Sequence, residues 1–350
     1  MKGLVFLGDR QVELRDFPDP TPGPDEVVLE MKASGMCGSD LHFYRASTDG
    51  SGGSASLGLG STDPVIAGHE PCGVVVARGD NVSTDVAPDG ARMMNHHYAG
   101  CGSCSDCRVG WSQLCRQGIT VYGVTGHGGH AEYIKVPVRT LVPLPDSLSF
   151  SAGAAISCGT GTAWGALKRL ELTGSDSLAV FGQGPVGLSA TILGKAFGAH
   201  VTAIDIGTER LALAKQYGAD HVIDAAEQDA VEALMEMTGD QGVDKTLDCT
   251  GVADARVAAI RSARTWGTVC FVGEGNDVTI NVSQDMLRKQ LTIVGSWTFS
   301  ALGQKECADY IAARGIAVDD LFTHQYKLTE AEQAYKLFDT QTTGKGVFLM

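Results

Sequence analysis

The chain has 350 residues, of which 43% are hydrophobic and 19% charged, and it carries a formal net charge of −14 at pH 7. That length accommodates two domains with substantial cores, and that charge excludes nucleic acid and anionic membranes as partners, whose phosphates would repel it. No apolar run reaches the span of a bilayer and the opening residues turn polar too soon for a secretion signal, so a cytoplasmic protein is expected, its ten cysteines reduced or metal-bound.

Short apolar or alternating runs at residues 4–7, 12–15, 27–31, 74–77 and 131–136 lie between Gly, Pro and Asp turns and predict a strand-rich first region. Residues 46–63 are mostly Gly, Ser and Thr with almost nothing to bury, which predicts a mobile surface loop. A tolerated insertion explains that segment better than a substrate entrance does. Four cysteines then crowd together: Cys101, Cys104, Cys107 and Cys115. Thiolates at such short separations can surround one Zn²⁺ without long-range folding, the pattern of a closed structural site. Disulfides are the competing reading, weakened by the adjacent C-x-x-C steps and the large core.

Beyond Leu167 the rhythm changes. Brief apolar runs at residues 177–181, 200–205, 221–223, 245–249, 268–272 and 291–295 alternate with helical patterns at 186–197, 209–217, 227–237 and 253–263. Such repetition predicts an α/β architecture, a doubly wound parallel sheet covered on both faces. Helices at 304–313 and 330–338 and a final strand at 345–350 are expected in the tail.

The run at 177–181 leads straight into Gly182-Gln-Gly184-Pro185-Val186-Gly187, and a helical pattern follows. Alone, G-x-G-x-x-G is weak; after an apolar strand, before a helix, and with Asp205 closing the next strand, it is a dinucleotide fingerprint. Gly182 permits the tight turn, Gly184 admits the pyrophosphate to the backbone, and Gly187 lets helix and strand pack closely. The helix that starts at Pro185, which has no N–H of its own, offers phosphate the free N–H groups that follow from Val186 on. Asp205 can accept both ribose hydroxyls and would repel a 2′-phosphate, so NAD is favoured over NADP, with Arg210 either offsetting that repulsion or serving as a helix-surface charge.

A second set of metal-ligand residues is scattered: Cys37, His69 and Cys158. Together they would form a Cys₂His set with a fourth position open to water or substrate, as in a catalytic zinc site. Singly, Cys158 reads equally as a buried thiol and His69 as a core histidine. Spacing does not show that they converge.

With Gly68-His69-Glu70, Cys37-Gly-Ser39-Asp40-x-His42, the four-cysteine lobe and Gly182-Gln-Gly184-Pro-Val-Gly187 in this order, the chain resembles the zinc-containing medium-chain alcohol dehydrogenases over essentially its whole length. The resemblance implies a GroES-like β-rich catalytic domain over 1–158, carrying the lobe at 101–115. It further implies a Rossmann NAD-binding domain over 159–295 and a segment, 296–350, that returns to the first domain. It assigns two zinc ions per subunit: a catalytic one on Cys37, His69 and Cys158, with Glu70 beside it and able to enter coordination, and a structural one on the lobe. It places Ser39 and His42 in a proton relay, and it implies a homodimer or homotetramer paired through Rossmann-sheet edges, for which residues 292–295 are a candidate. Asp40 is expected to orient a ligand histidine.

The expected reaction is hydride transfer between NAD and a small-molecule secondary alcohol or polyol, or the matching ketone or aldehyde. L-threonine 3-dehydrogenase or aldehyde reductase activity on the same scaffold is the alternative. A non-catalytic NAD(H)-binding protein with structural zinc only is a third reading. His97, just before the lobe, hints at a substrate with an extra hydroxyl, or is a lobe-surface residue. Trp297 and Phe299 line a cleft or pack a domain junction; His127 and His130 read as loop residues; Lys345 is a loose candidate for a pyrophosphate contact.

Overall fold

A computed structural model describes residues 1–47, 64–342 and 344–350, so the expected loop at 46–63 lies, past its first two residues, outside the described residues. The chain divides into two compact units, Met1–Cys158 with Ser300–Met350, and Gly159–Phe299.

The first unit is built on a seven-stranded sheet. Its path runs Phe322–Tyr326, Lys345–Leu349, Glu26–Gly35, Glu70–Arg78, Arg92–Asn95, Leu141–Pro143, and Tyr133–Pro137 pairs with Glu26–Gly35 off that path. Glu26–Gly35 is the organising strand, with Val27, Leu29, Met31 and Ala33 buried, and its partner Glu70–Arg78 contributes Val75 to the same core. Lys2–Gly8 and Gln11–Asp16 form a separate hairpin. The tail helix Ala331–Asp339 turns Ala331, Ala334, Tyr335 and Phe338 inward, the i, i+3, i+4, i+7 spacing of one helical face. That face packs with Leu4, Met36, Leu41, Tyr44 and Phe348, which ties the end of the chain to its beginning.

Two helices escaped the sequence reading, Phe150–Ile156 in this unit and Gly159–Arg169 at the start of the second. Their Ala- and Gly-rich residues are buried nearly all round, so no polar face marks a period. The strands Arg92–Asn95, Leu141–Pro143 and Phe322–Tyr326 were missed too, being short or polar.

The second unit is a six-stranded parallel sheet in the order His221–Asp224, His200–Asp205, Ser177–Phe181, Val243–Asp248, Ala263–Phe271, Thr292–Gly295. The chain begins in the middle, winds to one edge and returns to the other, which is the doubly wound topology expected. Thr292–Gly295 is an edge strand. The helix expected from residue 227 starts at Ala230, because the Asp229 carboxylate accepts the N–H groups of Val231 and Glu232 at 2.8 and 2.9 Å and caps it there.

The turn after Ser177–Phe181 depends on its glycines. Gly182 sits at φ +88°, and a Cβ on Gly187 would lie 1.7 Å from the Gly182 carbonyl oxygen. Gly187→Ala therefore forces backbone apart, and is expected to lower the stability of this unit by about 1–3 kcal/mol. A denaturant midpoint equal to wild type would show that the close approach is not needed.

Candidate metal centres and nucleotide loop

The register of the central strand pair brings the first cluster together. Gly35, the last residue of Glu26–Gly35, stands opposite Glu70, the first of Glu70–Arg78. Cys37 follows one and His69 precedes the other, so two residues far apart in sequence become neighbours. Cys158 arrives from the helix Phe150–Ile156, capped at its start by Ser149 Oγ accepting from Ala152 N–H. That helix lies so near Glu70–Arg78 that a Cβ on Gly153 would meet Cys72 Sγ at 2.4 Å.

One donor atom each from Cys37, His69, Glu70 and Cys158 lies within 4.8 Å of the others. Cys37 Sγ and Cys158 Sγ are 3.8 Å apart. A disulfide needs about 2.05 Å, whereas a tetrahedron with metal–sulfur bonds of about 2.3 Å has edges of roughly 3.8 Å. The spacing fits a shared cation. The donors are also poised for one: hydrogen bonding from Cys158 holds Cys37 well below the usual thiol range, and that same bond together with burial pushes Cys158 well above it.

His69 is fixed by its rear nitrogen, with Nδ1 3.1 Å from Asp40 Oδ1, and Nε2 therefore faces the cluster. Burial alone would push this imidazole down, but the Cys37 and Asp40 charges prevail and raise it well above its usual value. Glu70 is fully buried and ion-paired, Oε1 to Lys345 Nζ at 2.5 Å. Its Oε2 has no partner among the described residues and lies where a Cβ on Gly35 would fall, 2.0 Å away. An orphaned carboxylate oxygen beside two thiols and an imidazole is a further sign that the set suits a divalent cation.

Ser39 is exposed, its Oγ 3.3 Å from His69 Nε2. His42 is exposed on the short helix Asp40–Arg45. His97 lies inside the unit, not on its surface: it is 2% exposed, its ring centroid is 5.2 Å from that of His69, and its Nδ1 is 3.1 Å from the Ser157 carbonyl. Burial drives His97 well below its usual value and keeps it neutral.

The four lobe cysteines also place their sulfurs within 4.8 Å of one another, and none is in a disulfide. Cys101 and Cys107 are 4.0 Å apart, Cys104 and Cys115 3.9 Å, again the edges of a metal–thiolate tetrahedron. Hydrogen bonds from Ser103 pull Cys101 down to about 5, while burial pushes Cys107 up to about 12. Thiols this close cannot all ionise without a cation among them.

In the second unit the helix Pro185–Ala196 opens behind Gly184 with no side-chain cap, and a Cβ on Gly184 would meet nothing within 4 Å. Its first N–H groups thus face open space, as a bound phosphate requires. Asp205 Oδ2 accepts from Gln183 N–H at 2.5 Å and Oδ1 from Gly207 N–H at 2.8 Å, which pins the carboxylate beside the loop. Arg210 Nη1 is 4.0 Å from it.

With this geometry established, similarity to known proteins is specific. Residues 23–146 match the alcohol dehydrogenase GroES-like domain, and residues 185–313 the zinc-binding dehydrogenase domain. An uncharacterised zinc-type alcohol dehydrogenase-like protein of Escherichia coli (strain K12) is 38% identical, the match covering 99% of this chain and 98% of that one. Sorbitol dehydrogenase of Bacillus subtilis (strain 168) is 32% identical over 95% of this chain and 92% of its own. Among solved structures, an alcohol dehydrogenase from Thermus sp. ATN1 superposes with a TM-score of 0.89 at 28% identity, covering 100% of this chain and 99% of that one. The chain belongs to the zinc-containing alcohol dehydrogenase family and is an oxidoreductase of that family. Among the described residues no helix is long and apolar enough to cross a membrane.

Of the partners behind the candidate ligands, the sequence pointed to Asp40, which meets His69 as expected, and missed the others. Lys345 was a candidate for a phosphate contact, but its ammonium is buried against Glu70. His130 is a loop residue, as expected, but a fully buried one, hydrogen-bonded on both ring nitrogens. Phe299 is buried and Trp297 partly exposed. The only signal for Lys345 was a lysine heading an otherwise apolar strand. Lys345→Met leaves the Glu70 carboxylate buried without its cation and is expected to destabilise the protein by about 3–5 kcal/mol, with part of that recovered in the Lys345→Met, Glu70→Gln double variant. Equilibrium unfolding of the three variants checks this; full additivity would contradict it.

Proposed function

We propose that the protein is a zinc-dependent dehydrogenase that transfers a hydride between NAD and a secondary alcohol or polyol, or the matching ketone or aldehyde. The observation that carries the reading is the meeting of Cys37, His69 and Cys158, three zinc donors from three separate elements, with Glu70 beside them. Zinc held there supplies a Lewis acid that polarises an alcohol or carbonyl oxygen. NAD on the glycine loop supplies the hydride acceptor.

The chain's own residues do the rest. Asp40 holds His69 in the tautomer that presents Nε2. The Ser39 hydroxyl, 3.3 Å from that nitrogen, would accept a substrate proton as it releases its own toward the cofactor ribose, and exposed His42 would pass that proton on to solvent. Glu70, tethered by Lys345, stands in reserve as a further oxygen donor. The lobe, with four thiolates and no open position, stiffens the fold. The buried polar ring of His97 beside His69 supports a substrate with an additional hydroxyl, consistent with a sorbitol dehydrogenase among the relatives. The edge strand Thr292–Gly295 offers unpaired backbone to a second copy, so a homodimer or homotetramer is part of the proposal.

Metal analysis of the purified protein should give two zinc ions per chain, and a panel of alcohols, diols, polyols and L-threonine should yield NADH with a secondary alcohol or polyol. Cys158→Ser should lose one zinc and the turnover while keeping the lobe's zinc. One zinc in the wild type and no turnover on the panel would leave a cofactor-binding protein instead. L-threonine as the sole substrate would move the assignment to the alternative activity.

Cofactor choice rests on Asp205. Asp205→Gly removes the ribose acceptor and the repulsion together, so KM for NAD should rise by about tenfold, the cost of one charge-assisted hydrogen bond, and the preference over NADP should narrow. Unchanged KM values for both cofactors would dismiss this role.

A further inference from the structure

On the Nδ1 side of His69 runs an unbroken line of buried polar groups, of which the proposed chemistry uses only the first, Asp40. Asp40 Oδ1 meets His69 Nδ1 at 3.1 Å. Asp40 Oδ2 accepts the Cys37 backbone N–H at 2.8 Å and the Tyr335 hydroxyl at 3.1 Å. The Tyr335 hydroxyl is in turn 2.8 Å from His130 Nε2, and His130 Nδ1 is 2.7 Å from Ser34 Oγ. Ser34, Asp40, His130 and Tyr335 are each no more than 2% exposed.

The hydrogens along this line have one consistent arrangement. A carboxylate has nothing to donate, so Tyr335 gives its single proton to Asp40. His130 must then donate from Nε2 to the phenolic oxygen, which leaves Nδ1 to accept the Ser34 hydroxyl proton. Burial holds His130 down to about 4, so the neutral ring carries the one proton this needs. Every donor in the chain points toward Asp40.

We propose that Tyr335 and His130 are positioning residues for the metal centre: by delivering a hydrogen bond to Asp40 from behind, they lock the carboxylate that holds Cys37 through its backbone and His69 through its ring. The proposal rests on the metal-centre reading given above. It binds three distant segments to one task, since Tyr335 lies on the tail helix Ala331–Asp339, His130 precedes the strand Tyr133–Pro137, and Asp40 opens the helix Asp40–Arg45. Without the phenol, Asp40 loses one of its three donors and is held less firmly by Cys37 N–H and His69 alone, and His130 Nε2 is left as a buried donor without an acceptor.

Chelator competition on the zinc-loaded full chain tests this, with the four-cysteine lobe as an internal control. Tyr335→Phe should weaken zinc at the Cys37, His69 and Cys158 site by about tenfold, the lower range for loss of a partner behind a ligand, and leave the lobe's zinc at its wild-type affinity. His130→Phe should act in the same direction, and His130→Gln, which keeps an N–H for Tyr335, should restore most of the affinity. In an Asp40→Asn background Tyr335→Phe should add little, because both act through one group. Unchanged affinity in Tyr335→Phe, equal weakening at both zinc sites, or full additivity with Asp40→Asn would each overturn the proposal. If Tyr335→Phe does not fold, the contrast between His130→Phe and His130→Gln decides the matter, equal affinities counting against it. The wild type tests the parent reading separately: zinc in the lobe alone would overturn that reading and this one with it.

Discussion

Gly35 opposite Glu70 in the antiparallel pair of Glu26–Gly35 and Glu70–Arg78 is the pairing on which the candidate metal centre depends. Shifting a strand by one residue turns every side chain to the other face, and here the buried faces of both strands are apolar, which makes such a slip costly. The hydrophobic pattern of the sheet thus sets the positions of Cys37 and His69 as a by-product of setting its own core. Glycine then makes the room: only a residue without a Cβ at position 35 lets the Glu70 carboxylate lie against the strand.

The second constraint is electrostatic. Two thiols, an imidazole and two carboxylates are gathered in a largely buried space, where unpaired charge is expensive. Each negative group has an answering donor: Asp40 has Cys37 N–H, Tyr335 and His69, and Glu70 has Lys345. The thiols answer one another only in part, one held down in pKa and the other pushed up, which is the state a cation relieves. The lobe follows the same rule in simpler form, four sulfurs with no oxygen or nitrogen donor among them. Structural and catalytic sites of the zinc type differ in this way, one closed by its ligands and the other left open.

The nucleotide loop obeys a local rule. Strand, glycine turn and helix start are contiguous, and Asp205 is joined to the loop by the Gln183 N–H. That bond makes the carboxylate part of the loop's own architecture, so its position beside the first helix turn does not wait for a ligand.

The sequence by itself determined whatever depends on near neighbours along the chain. The four-cysteine lobe, the glycine turn with Asp205, and the six strands and four helices around them were legible because their spacing is set within a few residues. Three of those four helices fell within a residue of their expected ends, and the fourth starts later, at Ala230, where Asp229 caps it. The candidate set Cys37, His69 and Cys158 was legible in its residue types, but its convergence only through the resemblance, since nothing local says that residues 121 apart meet, as Cys37 and Cys158 do. Beyond Asp40, tertiary structure alone decided which groups stand behind them. Lys345 read as a loose candidate for a phosphate contact, His130 as a loop residue, and Tyr335 carried no reading of its own; packing of the tail on the first sheet makes Lys345 the partner of Glu70, Tyr335 that of Asp40, and His130 that of Tyr335. The physical reason is range: backbone hydrogen bonding and side-chain period act over a turn of chain, whereas a buried polar contact is chosen by whichever elements the hydrophobic core brings side by side.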